Sequence, residues 1–202
     1  MPTNLLTNIV HLSSPYLDLT DDAYIGSGSS TGTGAQPYPG QLGAIMTLSE
    51  AEANKRGSVL TLHSGLYQYV QFKSGSSASN AAGQVMFWST RASYIVTPDA
   101  TAPLTGSIAG IALNAVTKGN YGWIQIGGVA NVKFKASLTA ATPAIGDLVI
   151  VDQTPANLAD VPTQSGNPTY LILKGVLGTA VIAIPAASTV SLVELIPRFV
   201  NQ

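Results

Sequence analysis

The feature that most constrains the fold of this sequence is the period of its apolar residues, which is two over most of the chain. In residues 129–136 the apolar and polar side chains fall on opposite faces of an extended chain, with Val132, Phe134 and Ala136 opposite Asn131, Lys133 and Lys135. Such alternation is typical of a β-strand with one face buried and one face in solvent. The pattern therefore predicts strands rather than helices for most of the molecule.

Similar runs recur at close spacing, separated by Gly, Pro and Asn residues that favour turns. They predict roughly ten strands, at 58–63, 66–73, 85–88, 94–97, 108–116, 121–126, 129–136, 145–152, 170–173, 176–184 and 190–196. Residues 153–168 contain three prolines and are expected to form an irregular loop. Because short strands must close or stack to hide their edges, we expect an all-β barrel or sandwich of short antiparallel strands.

One segment, residues 47–57, has the signals of a short helix. Ser49 can cap its N-terminus, glutamates follow in the first turn, Lys55 and Arg56 suit its C-terminal end, and Gly57 can end it. This segment predicts about two helical turns.

The first 43 residues indicate an extended N-terminal arm, and residues 44–202 a β-rich body. The arm begins with apolar residues and continues into a Gly/Ser/Thr tract at 26–34, which alone would behave as a flexible linker. An arm that docks on its own core or on a neighbouring subunit is one interpretation, and a disordered tail is the other. If the arm docks, we expect its apolar and aromatic residues to make the contact: Leu5, Leu6, Ile9, Tyr16 and Leu17.

Charge is scarce in this chain and argues against two classes of partner. Only 9% of the 202 residues are charged, with 9 Lys and Arg against 10 Asp and Glu. Nucleic acid and anionic membrane surfaces are held by concentrated positive charge, so neither is expected as a partner. The first cationic side chain is Lys55, and the longest apolar run, residues 176–187, is interrupted and short. We therefore expect no signal peptide and no transmembrane segment.

The residues offer little for catalysis or metal binding. The pattern Gly-x-Ser-x-Gly occurs at residues 28–32, but a nucleophilic Ser30 would need a strand before it and a helix after it, and both flanks are linker-like. His11 and His63 lack partners at metal-ligand spacing, there is no cysteine, and no two acids form a plausible catalytic pair. We expect no enzymatic activity, no metal and no cofactor.

Tyr121, Trp123 and Gln125 alternate on one face of a single predicted strand. Aromatic residues so placed either pack in a core or subunit contact, or form a platform on which sugars stack. A nucleic-acid platform would need interleaved Lys or Arg, which this strand lacks. We expect Tyr121 and Trp123 to serve in subunit or core packing, with carbohydrate binding as the alternative.

Several segments together resemble a known family. They are residues 109–113 (AGIAL), 118–130 (KGNYGWIQIGGVA) and 145–149 (IGDLV), with weaker pieces at 67–71 and 82–88. This pattern resembles the capsid decoration, or cement, proteins of tailed bacteriophages, and it covers about residues 57–152.

The resemblance implies a non-enzymatic virion protein, usually a homotrimer, seated on the outer surface of the capsid where major capsid protein subunits meet. Its arm would lie over neighbouring subunits and stabilise the shell. The arm and residues 153–202 are longer than in the smallest members of that family. That length leaves an alternative open, a carbohydrate-binding or head-fibre/tail module that recognises a host surface.

Overall fold

The structure, a computed structural model, describes residues 42–51, 63–75, 80–99, 108–113, 115–136, 138, 144–153, 156–161, 176–182, 184 and 190–196. Ten β-strands lie within these residues: β1 (Ile45–Leu48), β2 (Gly65–Phe72), β3 (Val85–Thr90), β4 (Ile95–Thr97), β5 (Ile108–Ala112), β6 (Tyr121–Lys133), β7 (Leu148–Gln153), β8 (Ala156–Asp160), β9 (Val176–Ala180) and β10 (Val190–Leu195). The predicted all-β class is confirmed.

Five strands form a closed barrel in the order β2-β4-β3-β5-β6, and β6 returns to pair with β2. The β2–β4 pair is parallel, and the other pairs of the ring are antiparallel. The residues of these strands that form the barrel core are almost fully buried: Val70, Phe72, Met86, Trp88, Val96, Ala109, Ala112, Ile124 and Ile126. Among the described strands, closure leaves β1, paired to β2, at the edge of this part of the sheet.

The remaining strands extend the sheet from the second half of β6, in the order β10-β9-β7-β8. This second sheet curls back toward β6, because Phe134, just after β6, forms a parallel bridge with Ala159 of β8. Its inner face packs against the outward side chains of β3 and β5 around a second core, which contains Val85, Phe87, Ile108, Ile111, Ala130, Val132, Phe134, Val149, Val151, Ala159, Ala180, Val193 and Leu195.

The strand β6 corrects one sequence prediction. Two strands were expected, at 121–126 and 129–136, whereas Tyr121–Lys133 is a single strand of 13 residues. Glycine at 127 and 128 looked like a break, but the strand passes through it by a change of register against β2 between Leu66 and Tyr67. One strand therefore belongs to both the barrel and the second sheet.

Two further predictions need correction. Thr47, the expected start of the helix, lies in β1 together with Leu48; residues 50 and 51 are helical, and residues 52–57 lie outside the described residues. The stretch 153–168 was expected to be irregular, yet β8 occupies Ala156–Asp160. Two of its three prolines, Pro155 and Pro162, flank the strand in the sequence instead of interrupting it. The strands expected at 58–63 and 170–173 fall almost wholly outside the described residues.

Candidate interaction surfaces

The predicted arm residues cannot be placed in the fold. Leu5, Leu6, Ile9, Tyr16 and Leu17 lie outside the described residues, as do Ser30 and His11. Docking of the arm stays a prediction.

Tyr121 and Trp123 lie in an aromatic cluster on the outer side of the barrel, where β2 and β6 pair. The ring of Tyr69 lies 5.4 Å from that of Trp123 and 6.2 Å from that of Tyr121, measured between centroids. Trp123 is 2% exposed and Tyr69 is fully buried, whereas Tyr121 is half-buried. Four further apolar side chains close the cluster: Met46 and Leu48 of β1, Ala44 just before β1, and Leu113 just after β5.

Burial also shapes the chemistry of the tyrosines in this cluster. The hydroxyl of Tyr67 donates a hydrogen bond to the backbone carbonyl of His63 at 2.5 Å. Burial raises the pKa of Tyr67 to about 12, although that hydrogen bond opposes the shift. Burial raises the pKa of Tyr69 as well, with a smaller contribution from the neighbouring Tyr121. Both phenols are therefore neutral at physiological pH.

This geometry does not provide the exposed stacking platform considered from the sequence. A sugar needs accessible ring faces, and the Trp123 ring is covered. Gln125, the third residue of the pattern, is also buried, and its side-chain amide donates hydrogen bonds to the carbonyls of Gly127 and Val129 at 3.2 and 2.7 Å. Within the described residues, this face packs against β1.

Three charged residues of the described part, Lys135, Asp147 and Asp160, form structural contacts. Lys135 forms an ion pair with the fully buried Asp160, with 2.7 Å between Nζ and Oδ2, and the other carboxylate oxygen of Asp160 accepts a hydrogen bond from the Val161 amide. Asp147 accepts a hydrogen bond from the Ala144 amide at 2.7 Å and so caps a turn before β7.

Among the residues described, no three His, Asp or Glu side chains come together as a metal site would require. No helix in this part of the chain is long and apolar enough to cross a membrane.

Exposed apolar side chains are concentrated on the second sheet. The large hydrophobic residues that are most exposed in the described part all belong to β7, β9 and β10 or adjoin them: Ile145 (71%), Leu148 (41%), Ile182 (44%), Val190 (45%) and Ile196 (50%). Sequence periodicity predicted the strands but not this surface, because the outward residues of each strand become neighbours only once the strands pair.

Two patches can be separated by position. The first, called here the outer sheet face, consists of the outward residues of four adjacent strands: Val129, Asn131 and Lys133 of β6, Val190, Leu192 and Glu194 of β10, Thr179 and Val181 at β9, and Leu148 of β7. The second, the strand-end pair, is Ile145 before β7 and Ile182 after β9. These two residues lie at the same end of the sheet, because the Gly146 amide donates to the Ala180 carbonyl.

Comparison with known proteins gives a structural likeness that is weak. No family model and no curated protein matches the chain. Among solved structures, the chain is similar to the head fiber gp8.5 N base of bacteriophage phi29, at 18% identity and a TM-score of 0.41, over 67% of this chain and 98% of that one. A likeness of this size establishes neither a shared fold nor a shared function.

Proposed function

We propose that this protein is a non-enzymatic structural protein of a tailed-bacteriophage head, which binds the outer surface of the capsid and stabilises the shell. The observation that carries the proposal is the concentration of exposed apolar side chains on the second sheet, in a chain with few charges. Exposed apolar patches of this kind mark protein–protein contacts. The resemblance of about residues 57–152 to capsid decoration proteins suggests the major capsid protein as the partner.

Shell binding suits an uncharged surface for a physical reason. A protein that fastens subunits around a symmetry axis repeats the same weak contacts several times, and the linked contacts give a high overall affinity. Such a protein needs area and reach more than a charged pocket. We assign the shell contact to the strand-end pair and to the arm, which at about 3.3 Å per residue can extend roughly 100 Å or more when fully stretched. A homotrimer would present these contacts three times.

The proposal is tested by sedimenting the purified protein with tail-less heads that lack it. We expect the full-length chain to pellet with the heads and to saturate at a fixed ratio to capsid subunits. Ile145→Gln/Ile182→Gln and a deletion of residues 2–41 should each weaken binding, while Lys73→Gln, at an exposed site on the barrel, should bind as the unaltered chain does.

Two outcomes would contradict the proposal. A protein that stays in the supernatant at every concentration does not bind the shell. A protein that pellets with tailed virions but not with tail-less heads belongs on the tail, as the alternative of a host-recognition module requires. Unchanged binding after the deletion would show that the arm does not contribute to the shell contact and that the body alone makes it.

A further inference from the structure

The strand register places the residues of the outer sheet face in three rows. In the first row, Val129, Glu194, Thr179 and Leu148 lie side by side across four strands. The middle row holds Asn131 opposite Leu192, with Val181 beside them through a hydrogen bond from its amide to the Leu192 carbonyl. In the third row Lys133 lies opposite Val190.

Two opposite charges lie within this apolar face, and they do not meet. Glu194 is exposed in the first row and Lys133 is half-buried in the third. Rows on one face are about 7 Å apart along a strand, so the two residues are separated by about 14 Å in that direction. Neither side chain forms an ion pair in the part of the chain that the structure describes. The face therefore presents an acid and a base on opposite sides of its middle row.

We propose that the outer sheet face binds the same face of a second copy of this chain. In this pairing the two sheets stack face to face, and a two-fold axis lies between them. The axis runs roughly along the middle row and passes between Asn131 and Leu192, so that it exchanges the position of Glu194 with that of Lys133. Each Glu194 then faces the Lys133 of the other copy, and the contact holds two identical charge pairs. The exposed Leu148 and Val190 side chains are removed from water between the sheets, as in face-to-face sheet packing.

The second copy fits this face because the face carries its own complement. Glu194 and Lys133 lie on two sides of the middle row, so pairing of two copies about that row places each charge opposite one of the other sign. The remaining positions of the face bring mainly apolar side chains together. A contact of this isologous kind joins chains in pairs. The assembly must then hold an even number of chains: a dimer if no other contact forms, or two paired trimers if the homotrimer forms as well. The inference is independent of capsid binding.

The test is sedimentation equilibrium of the full chain over a range of concentrations, with charge reversals at the two positions. Glu194→Lys and Lys133→Glu should each raise the dissociation constant of the paired assembly by at least about tenfold, because each places like charges opposite one another. The double exchange, Glu194→Lys with Lys133→Glu, should bring it back to within about threefold of the unaltered chain. Lys73→Glu, exposed on the barrel, is the matched control and should change nothing.

The double exchange also guards against misfolding, since recovery requires both reversals to be tolerated by the fold. Tryptophan fluorescence and circular dichroism of each variant check the fold directly. An unaltered chain that contains one or three copies at all concentrations would overturn the proposal. So would an even-numbered assembly that neither single reversal weakens, or one that the double exchange leaves as weak as the single variants.

Discussion

At the scale of single residues, the junction between barrel and second sheet depends on a close approach of two glycines. Gly128 has a positive φ of 81° and pairs with Gly65 of β2. A Cβ atom at Gly128 would lie 2.5 Å from the carbonyl oxygen of Ser64 and 2.7 Å from the Cα of Gly65. The buried amide of Gln125 hydrogen-bonds the carbonyls around this bend. Together these residues let β6 change register without leaving buried carbonyls unsatisfied.

Gly128→Ala should therefore lower the free energy of unfolding by more than the positive φ of residue 128 alone would cause. Gly146 is the matched control, because its φ is 88° and nothing lies within 4 Å of an added Cβ atom. We expect Gly146→Ala to lower the free energy of unfolding by about 1 kcal/mol, the cost of a left-handed alanine. Gly128→Ala should lower it by about 3 kcal/mol, since overpacking adds to that cost. Urea denaturation measures both, and equal losses would show that the close approach is relieved without cost.

The buried tyrosines predict a loss of stability in alkali. In the unfolded chain a tyrosine titrates near pH 10, whereas in the folded chain the pKa of Tyr67 is about 12 and that of Tyr69 is also raised. Below pH 10 the folded and the unfolded chain both keep the hydroxyl protons of Tyr67 and Tyr69. These two groups therefore cause no pH dependence of the free energy of unfolding in that range. Above pH 10 the unfolded chain loses protons that the folded chain retains, and the free energy of unfolding falls as pH rises.

Urea midpoints measured from pH 8 to pH 11.5 check this expectation. The decline above pH 10 should become shallower in Tyr67→Phe/Tyr69→Phe, whereas Tyr94→Phe, which leaves both hydroxyls in place, should keep it. A double variant with the same slope as the unaltered chain would mean that other groups cause the alkaline loss.

At the scale of elements, the sequence predicted strands well where one face meets solvent. Residues 129–133 alternate as expected, with Ala130 and Val132 buried and their neighbours partly exposed, although Ala136 is exposed. β8 was missed because prolines near both of its ends resembled a loop, and its place depends on a hairpin with β7 and on a bridge to the more distant Phe134. The alternating pattern of β6 likewise gave no sign that the strand continues through Gly127 and Gly128.

The attachment of β8 to β6 should depend on the ion pair between Lys135 and Asp160. Lys135→Met leaves a fully buried carboxylate without its cation and should lower the free energy of unfolding by about 3 kcal/mol. Adding Asp160→Asn removes the uncompensated charge, so the double variant should lose less than Lys135→Met alone. Lys73→Met, at an exposed position, should stay within about 0.5 kcal/mol. Chemical denaturation checks all three, and a double variant less stable than Lys135→Met would contradict the assigned role of the pair.

At the scale of the whole molecule, composition argued against two classes of partner but did not locate a contact surface. Scarce charge argued against nucleic acid and anionic membranes as partners, and alternation drew attention to Tyr121 and Trp123. The coverage of Trp123 by β1 follows from the pairing of β1 with β2, which the local pattern does not specify. The outer sheet face likewise needs the register of four strands. Its apolar residues are spread over more than sixty positions of the chain and become neighbours only in the folded sheet.

Cryo-electron microscopy of phage heads that lack this protein, imaged before and after it is added back, tests the central claim most directly. The proposal predicts added density on the outer surface of the shell, at positions related by the symmetry of the capsid and in contact with the major capsid protein. Heads whose outer surface is identical in the two maps, at protein concentrations well above that of the capsid subunits, would contradict it.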